Sequence, residues 1–238
     1  MLRFVIRHAK LADRDAVIAF YESAAHQFVA DRPDAEMIKA IEDSSIVVIE
    51  ELHPGNIVGA AAVFRYLDGA YAEIGAARVT SRAGGYDLER IMVHTLVLHT
   101  HLTDADDPLP LFFAVVSKDN ARAQGLVRQS FQECMMPAAL LIERSRCTGL
   151  ALDPSQKQTF ALSATGLRFH ACDLLRIAAE CGWRSPDSGV PTLTRNRRNR
   201  QTGAAEAATI ELTVDPLSDF HQDVQRVCQA DPGLFDRL

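Results

Sequence analysis

Long apolar runs are missing from this 238-residue chain. No stretch approaches the ~20 residues that span a bilayer, so a membrane-spanning helix is not expected. The opening MLRFVIRHAK returns to polar residues too early for the apolar core of a signal peptide, which makes a cytoplasmic protein the expectation. Cysteine is sparse and scattered. Cys134, Cys147, Cys172, Cys181 and Cys228 are odd in number and include no C-x-x-C pair, so neither a disulfide framework nor a bound metal is indicated. A basic excess is missing as well: 25 Lys and Arg stand against 31 Asp and Glu, a net charge of −6. Nucleic-acid binding through overall charge is therefore not expected. No internal repeat of 20–50 residues is visible.

What is present is ordinary for a globular protein: 47% apolar and 24% charged residues. The length suffices for one large domain or for a domain with a smaller companion. Strand and helix patterns alternate through the first 133 residues. RFVIRHA (3–9) reads as a strand. Residues 12–28 read as a helix, because Val17, Ile18, Tyr21, Ala24, Ala25 and Phe28 recur three and four apart. Asp13 is its expected N-cap. A shorter helix covers 34–43. Strands at 45–52, 56–67 and 70–79 follow in meander order, joined by HPGN and DG turns. A long helix runs from about Leu88 to Leu102. LFFAVVS (111–117) is apolar up to its final serine, as a sheet-centre strand would be. A helix is expected over 120–133.

Later residues carry weaker patterns. Strands are expected at 137–146, 158–164 and 208–215, and helices at 167–183 and 216–229, the last with Pro216 at its start. The polar stretch 185–207, rich in proline and glycine, reads as a long loop. Two units are expected: residues 1–146, and a C-terminal extension over 147–238 that either completes the sheet or forms a small second lobe.

One stretch raises a chemical question. ARVTSRAGGYDLERIMVHTLVLH (77–99) runs strand, glycine turn, helix, an arrangement that can cradle phosphate on free backbone N–H groups. A second stretch, LFFAVVSKDNARAQGLVRQSFQE (111–133), follows at a matching distance. Together with the order β-α-α-β-β-β-α-β-α, these resemble the GNAT family, the GCN5-related N-acetyltransferases. Asn120, Ala123 and Leu126 stand at the family's Asn, Ala and Leu places, and Phe131 matches its Phe, although the Gly-Phe pair is here Ser130-Phe131 and comes one residue early. The resemblance covers about half of the chain.

The resemblance implies an α/β fold with a mixed central sheet flanked by helices, here with an additional C-terminal αβ extension. It implies acetyl-CoA or another acyl-CoA as donor and an amine, on a small molecule or a protein, as acceptor, and it admits a homodimer. Arg82, Ala83, Gly84, Gly85 and Tyr86, with Asp87, would form the pyrophosphate turn. Val79 would pair with the pantetheine amides, Asn120 would face the cofactor near the thiol, and Glu73 would be the base. The alternative for Glu73 is a solvated strand residue.

Two departures stand out. The family turn reads Arg/Gln-x-x-Gly-x-Gly/Ala, and here Asp87 replaces the last small residue. Its carboxylate would oppose a pyrophosphate by roughly 1–4 kcal/mol, unless it folds back as the helix N-cap. Val127 stands where the family often has its tyrosine acid. Two rival functions follow: a non-catalytic binding protein of the same fold, and an acyltransferase that takes its acyl group from an acyl-carrier protein.

Other candidates are weaker. His94 and His99 are five apart and do not share a helix face as ligands four apart would. TRNRRNRQ could grip phosphate or an acidic partner, or be a solvated loop; no aromatics are interleaved for base stacking. Cys134 is either a thiol near the acyl group or a buried structural cysteine.

Overall fold

The computed structural model describes residues 1–23, 32–103, 110–128, 131–149, 157–161, 192–199 and 202–215. In chain order they form β1 (Leu2–His8), a 3₁₀ turn (Leu11–Asp13), α1 (Arg14–Glu22), α2 (Asp34–Glu42), β2 (Ile46–Glu51), β3 (Ile57–Tyr66) and β4 (Tyr71–Val79). Then come α3 (Leu88–Thr103), β5 (Leu111–Ser117), α4 (Ala121–Arg128), β6 (Gln132–Cys134), α5 (Ala138–Thr148), β7 (Lys157–Ala161), β8 (Thr192–Arg198) and β9 (Ala205–Val214). All described strands belong to one nine-stranded sheet, in the order β6-β7-β5-β4-β3-β2-β1-β9-β8. Strands β1 to β4 pair antiparallel, whereas β4 pairs parallel with β5 and β1 parallel with β9. This is the mixed α/β architecture that the GNAT resemblance implied.

Period-two alternation in β2 decides which residues meet which helices. Val47 and Ile49 turn to one face, where they join Phe4 and Ile6 of β1 and Leu88, Ile91, Met92 and Leu96 of α3. Ile46 and Val48 turn to the other, where Val17 and Phe20 of α1, Met37 and Ile41 of α2, and Leu140 of α5 cover them. Because both faces are covered, β2 carries no polar alternation and reads as IVVI. Ile46, Ile49, Leu88 and Ile91 are essentially inaccessible, and each such side chain contributes about 1.5–3 kcal/mol through burial.

Several expectations need correction. Residues 138–148 form a helix, not a strand: Pro137 precedes it, and Gly149 (φ +66°) ends it in the left-handed conformation with its N–H on Ser145 O. The helix expected over 120–133 stops at Arg128, and Gln132–Cys134 pairs with β7 instead. The stretch expected as a loop over 185–207 contains β8, paired antiparallel with β9. Asp13 does sit at the start of α1, but its side chain makes no capping bond; the carboxylate grips Arg7 at 2.6 Å. The helices expected at 167–183 and 216–229, and Phe28, lie outside the described residues, as do Cys172, Cys181 and Cys228.

Gly125 offers a simple test of α4. A Cβ there would meet nothing within 4 Å. Gly125→Ala should raise stability by about 0.5–1 kcal/mol in urea unfolding, since alanine loses less backbone entropy in a helix. A destabilised variant would show that α4 packs differently.

Candidate active site

The sheet opens at one place. β4 and β5 pair over three positions only, Tyr71 with Leu111, Ala72 with Phe112 and Glu73 with Phe113. Beyond Glu73 the strands part: β4 stays with β3, while β5 pairs with β7 through Ser117. The wedge between them leads to the first turns of α3 and α4. Arg122 of α4 reaches Glu89 of α3 at 2.7 Å, an ion pair between those two helix starts.

A bulge marks the wedge on β4. Ala60 pairs with Arg78 and Ala62 with Gly75, so Ala76 and Ala77 together face Ala61. Ala76 has φ +53°. The Tyr21 hydroxyl donates to the Ala76 carbonyl at 2.9 Å. Arg78 donates to the carbonyls of Phe20 and Tyr21 and stacks on Phe20. The end of α1 is thus tied to the bulge. Further along, the Thr80 N–H bonds Val58 O on β3. By strand alternation, the N–H and C=O of Val79 then face the opposite way, toward the wedge.

The glycine turn follows. The N–H groups of Ala83 and Gly84 bond Thr80 O and Ser81 O. Ala83, Gly84 and Tyr86 are buried, Gly85 is partly so, and Tyr86 belongs to the core beneath α3. Asp87 takes φ +65° and pairs with Arg90 rather than folding back on the helix N–H groups. Arg82 pairs with Glu51 of β2 at 2.7 Å. The strand β8 runs beneath: Arg198 N–H donates to Gly85 O at 2.9 Å, and Arg197 Nε to Gly84 O at 3.3 Å. Gly85 has φ +91°, and a Cβ there would lie 2.8 Å from Arg198 O, so only glycine fits this approach. On the other side of the wedge, Asn120 caps α4 through its side-chain oxygen and the Ala123 N–H at 3.1 Å.

Glu73 is neither solvated nor loosely held. It is 2% exposed. Arg144 of α5 binds both its oxygens, at 2.8 and 2.7 Å, and Arg32 reaches it at 2.9 Å. The Tyr66 hydroxyl donates to it at 3.0 Å. Burial pushes the carboxyl up, but Arg32 and the Arg144 hydrogen bonds outweigh this and hold it below its usual range. The solvated-strand alternative is therefore incorrect. Arg32 also lies over the Phe64 ring, and its Nη2 comes within 3.6 Å of where a Gly75 Cβ would be. Arg144 Nη1 is buried without a hydrogen-bond partner, which costs about 1–3 kcal/mol.

The remaining candidates separate from the wedge. Val127 packs against the α3-side core and carries no proton. Cys134 is exposed; partial burial, and then Glu133, push its thiol pKa up, the wrong direction for a nucleophile. His99 stacks on His8 of β1, with ring centroids 4.2 Å apart. Among the described residues no cluster of three metal-ligating side chains forms, and no helix is long and apolar enough to cross a membrane.

Sequence reasoning missed Tyr21, Arg32, Arg78 and Arg144. Tyr21 was legible only as an apolar helix residue. Arg32 has one near partner, Glu36 four residues on, but the contacts that bring these arginines to β4 and α1 span 34 to 71 residues and left no local signal.

No protein-family model matches the chain, and no curated protein matches it by sequence. Solved structures do. A Mycobacterium tuberculosis protein in complex with CoA aligns with 67% of this chain and 99% of its own, at 17% identity and TM-score 0.47. Diaminobutyrate acetyltransferase EctA from Paenibacillus lautus, in complex with L-2,4-diaminobutyric acid and coenzyme A, aligns with 68% and 96%, at 14% identity and TM-score 0.48. An acetyltransferase from Agrobacterium tumefaciens aligns with 67% and 90%, at 14% identity and TM-score 0.49. In fold, and in fold alone, the chain is similar to acetyltransferases of the GNAT type.

Proposed function

We propose that this chain is an acyl-CoA-dependent N-acyltransferase that transfers an acyl group directly from the thioester to an amine. The observation that carries the reading is the wedge between β4 and β5, with two helix starts at its mouth and a glycine turn at one of them. An extended pantetheine arm fits such a gap, pairing with the outward N–H and C=O of Val79. The turn Arg82–Tyr86 then receives the pyrophosphate, and Asn120 flanks the thioester from the start of α4.

In the reaction the amine nitrogen attacks the thioester carbonyl, the C–N bond forms, the C–S bond breaks and the thiolate departs. The amine must arrive neutral, and the proton its nitrogen sheds on becoming an amide passes through solvent to the departing thiolate. Glu73 is assigned no proton transfer: two guanidinium groups hold it ionised. Its part is to fix the point where β4 and β5 diverge. With Val127 unable to protonate the thiolate, catalysis rests chiefly on holding donor and acceptor in line.

A thermal melt with acetyl-CoA tests this. At a hundred times its dissociation constant the donor should stabilise the fold by ~2.7 kcal/mol. The absence of any shift at millimolar acetyl-CoA would remove the reading. Val127 favours one rival, a binding protein of the same fold; a melt that shifts without free thiol appearing across a panel of amines would select it.

A further inference from the structure

The acidic residues of the glycine turn pose an electrostatic problem that the C-terminal hairpin solves. Each carboxylate near the turn already has an arginine: Glu51 has Arg82, Asp87 has Arg90, and Glu89 has Arg122. These pairs leave the turn close to neutral. Positive charge reaches the turn from β8, which carries Arg195, Arg197 and Arg198 and whose Arg197 side chain touches Gly84 O. Among the described residues, the carboxylate of Glu206 stands 3.8 Å from Arg197 Nε. Arg195 Nε is buried with no hydrogen-bond partner.

Geometry points the same way. A trans peptide directs its N–H opposite to its C=O. The carbonyls of Gly84 and Gly85 are both engaged by β8, through Arg197 Nε and the Arg198 N–H. The N–H groups of Gly85 and Tyr86 are therefore turned away from β8. Two successive N–H groups facing outward at a helix start, with cationic side chains behind them, make an anion cradle.

We propose that β8 is the floor of the donor's phosphate site: Arg197 and the Arg198 N–H hold the turn so that its N–H groups face the phosphate, and the β8 arginines supply the positive charge that the turn lacks. Arg197 is thus a positioning residue for the phosphate end of the donor. This inference rests on the reading of the site as an acyl-CoA site.

The test compares two donors that share a thioester arm but differ in phosphate, acetyl-CoA and S-acetylpantetheine, by calorimetric titration of the full chain. Arg197 is 40% exposed, so Arg197→Ala should leave the unliganded melting temperature nearly unchanged. It should weaken acetyl-CoA by about tenfold or more, the scale of a charge-assisted contact, and leave S-acetylpantetheine unaltered. Arg197→Lys should restore part of the loss. Undiminished acetyl-CoA binding would overturn the proposal, and so would an equal loss for both donors, which would mean that Arg197 supports the site as a whole and not its phosphate end. If the unaltered protein binds no acetyl-CoA, the acyltransferase reading falls. Inorganic pyrophosphate then decides separately: binding that depends on Arg197 sustains the β8 floor, and its absence ends it.

Discussion

Glu73→Ala should cost about 3–5 kcal/mol of folding stability, because it strands Arg32 and Arg144 in a buried site without their carboxylate. For a chain of this size that is a fall in melting temperature on the order of 10 °C. Arg144→Met should cost a comparable amount, and the double variant clearly less than the sum, as groups in one network are coupled. Additive effects, or a single cost below about 1 kcal/mol, would mean that the three groups do not act as a buried unit. The same network sets a pH dependence. The folded carboxyl titrates below its ordinary 4.5, so its contribution is complete above that value. It is lost as pH falls through the lower, folded value. Acid unfolding of Glu73→Gln should accordingly be less steep than that of the unaltered protein.

Gly85→Ala should abolish donor binding at concentrations that saturate the unaltered protein. Two costs coincide there. The backbone sits at φ +91°, and the new methyl would lie 2.8 Å from the Arg198 carbonyl. Since that neighbour is backbone, the turn itself must lift off β8. A loss of stability of at least about 1 kcal/mol should accompany this. The binding loss should exceed what stability explains, so it should persist at temperatures well below the variant's own melt, where the variant is folded. Retention of acetyl-CoA binding within about threefold would show that the turn does not hold the donor.

How much could be read in advance follows from which forces are local. β5, apolar from Leu111 to Val116, announced a strand inside the sheet, and the meander of β2, β3 and β4 was punctuated by HPGN and DG. β8 was not legible: Leu193 is the one apolar residue of TLTRNRR, a composition that a strand at the end of the sheet order can carry, and it was expected as loop. AALLIE was expected as a strand because six apolar-rich residues fit either period. The decisive signals, Pro137 before it and Gly149 after, lay outside the run. At the candidate site, the glycine turn and the Asn120 cap could be read in advance because both are local backbone geometry. The Glu73 partners were not, because an ion pair across 71 residues leaves no spacing to detect.

The parallel pairing of β1 with β9 also dictates an order of assembly. Leu2 meets Ile210 and Ile6 meets Val214, so the strand at the start of the chain waits for one made some two hundred residues later. Contacts that distant close late and slowly. During synthesis, β1 to β4 and α3 can gather while β1 still presents an open edge. The glycine turn reaches its final form only when β8 arrives beneath it. Under the proposed reading, the ability to hold a donor is therefore among the last properties this polypeptide acquires as it folds.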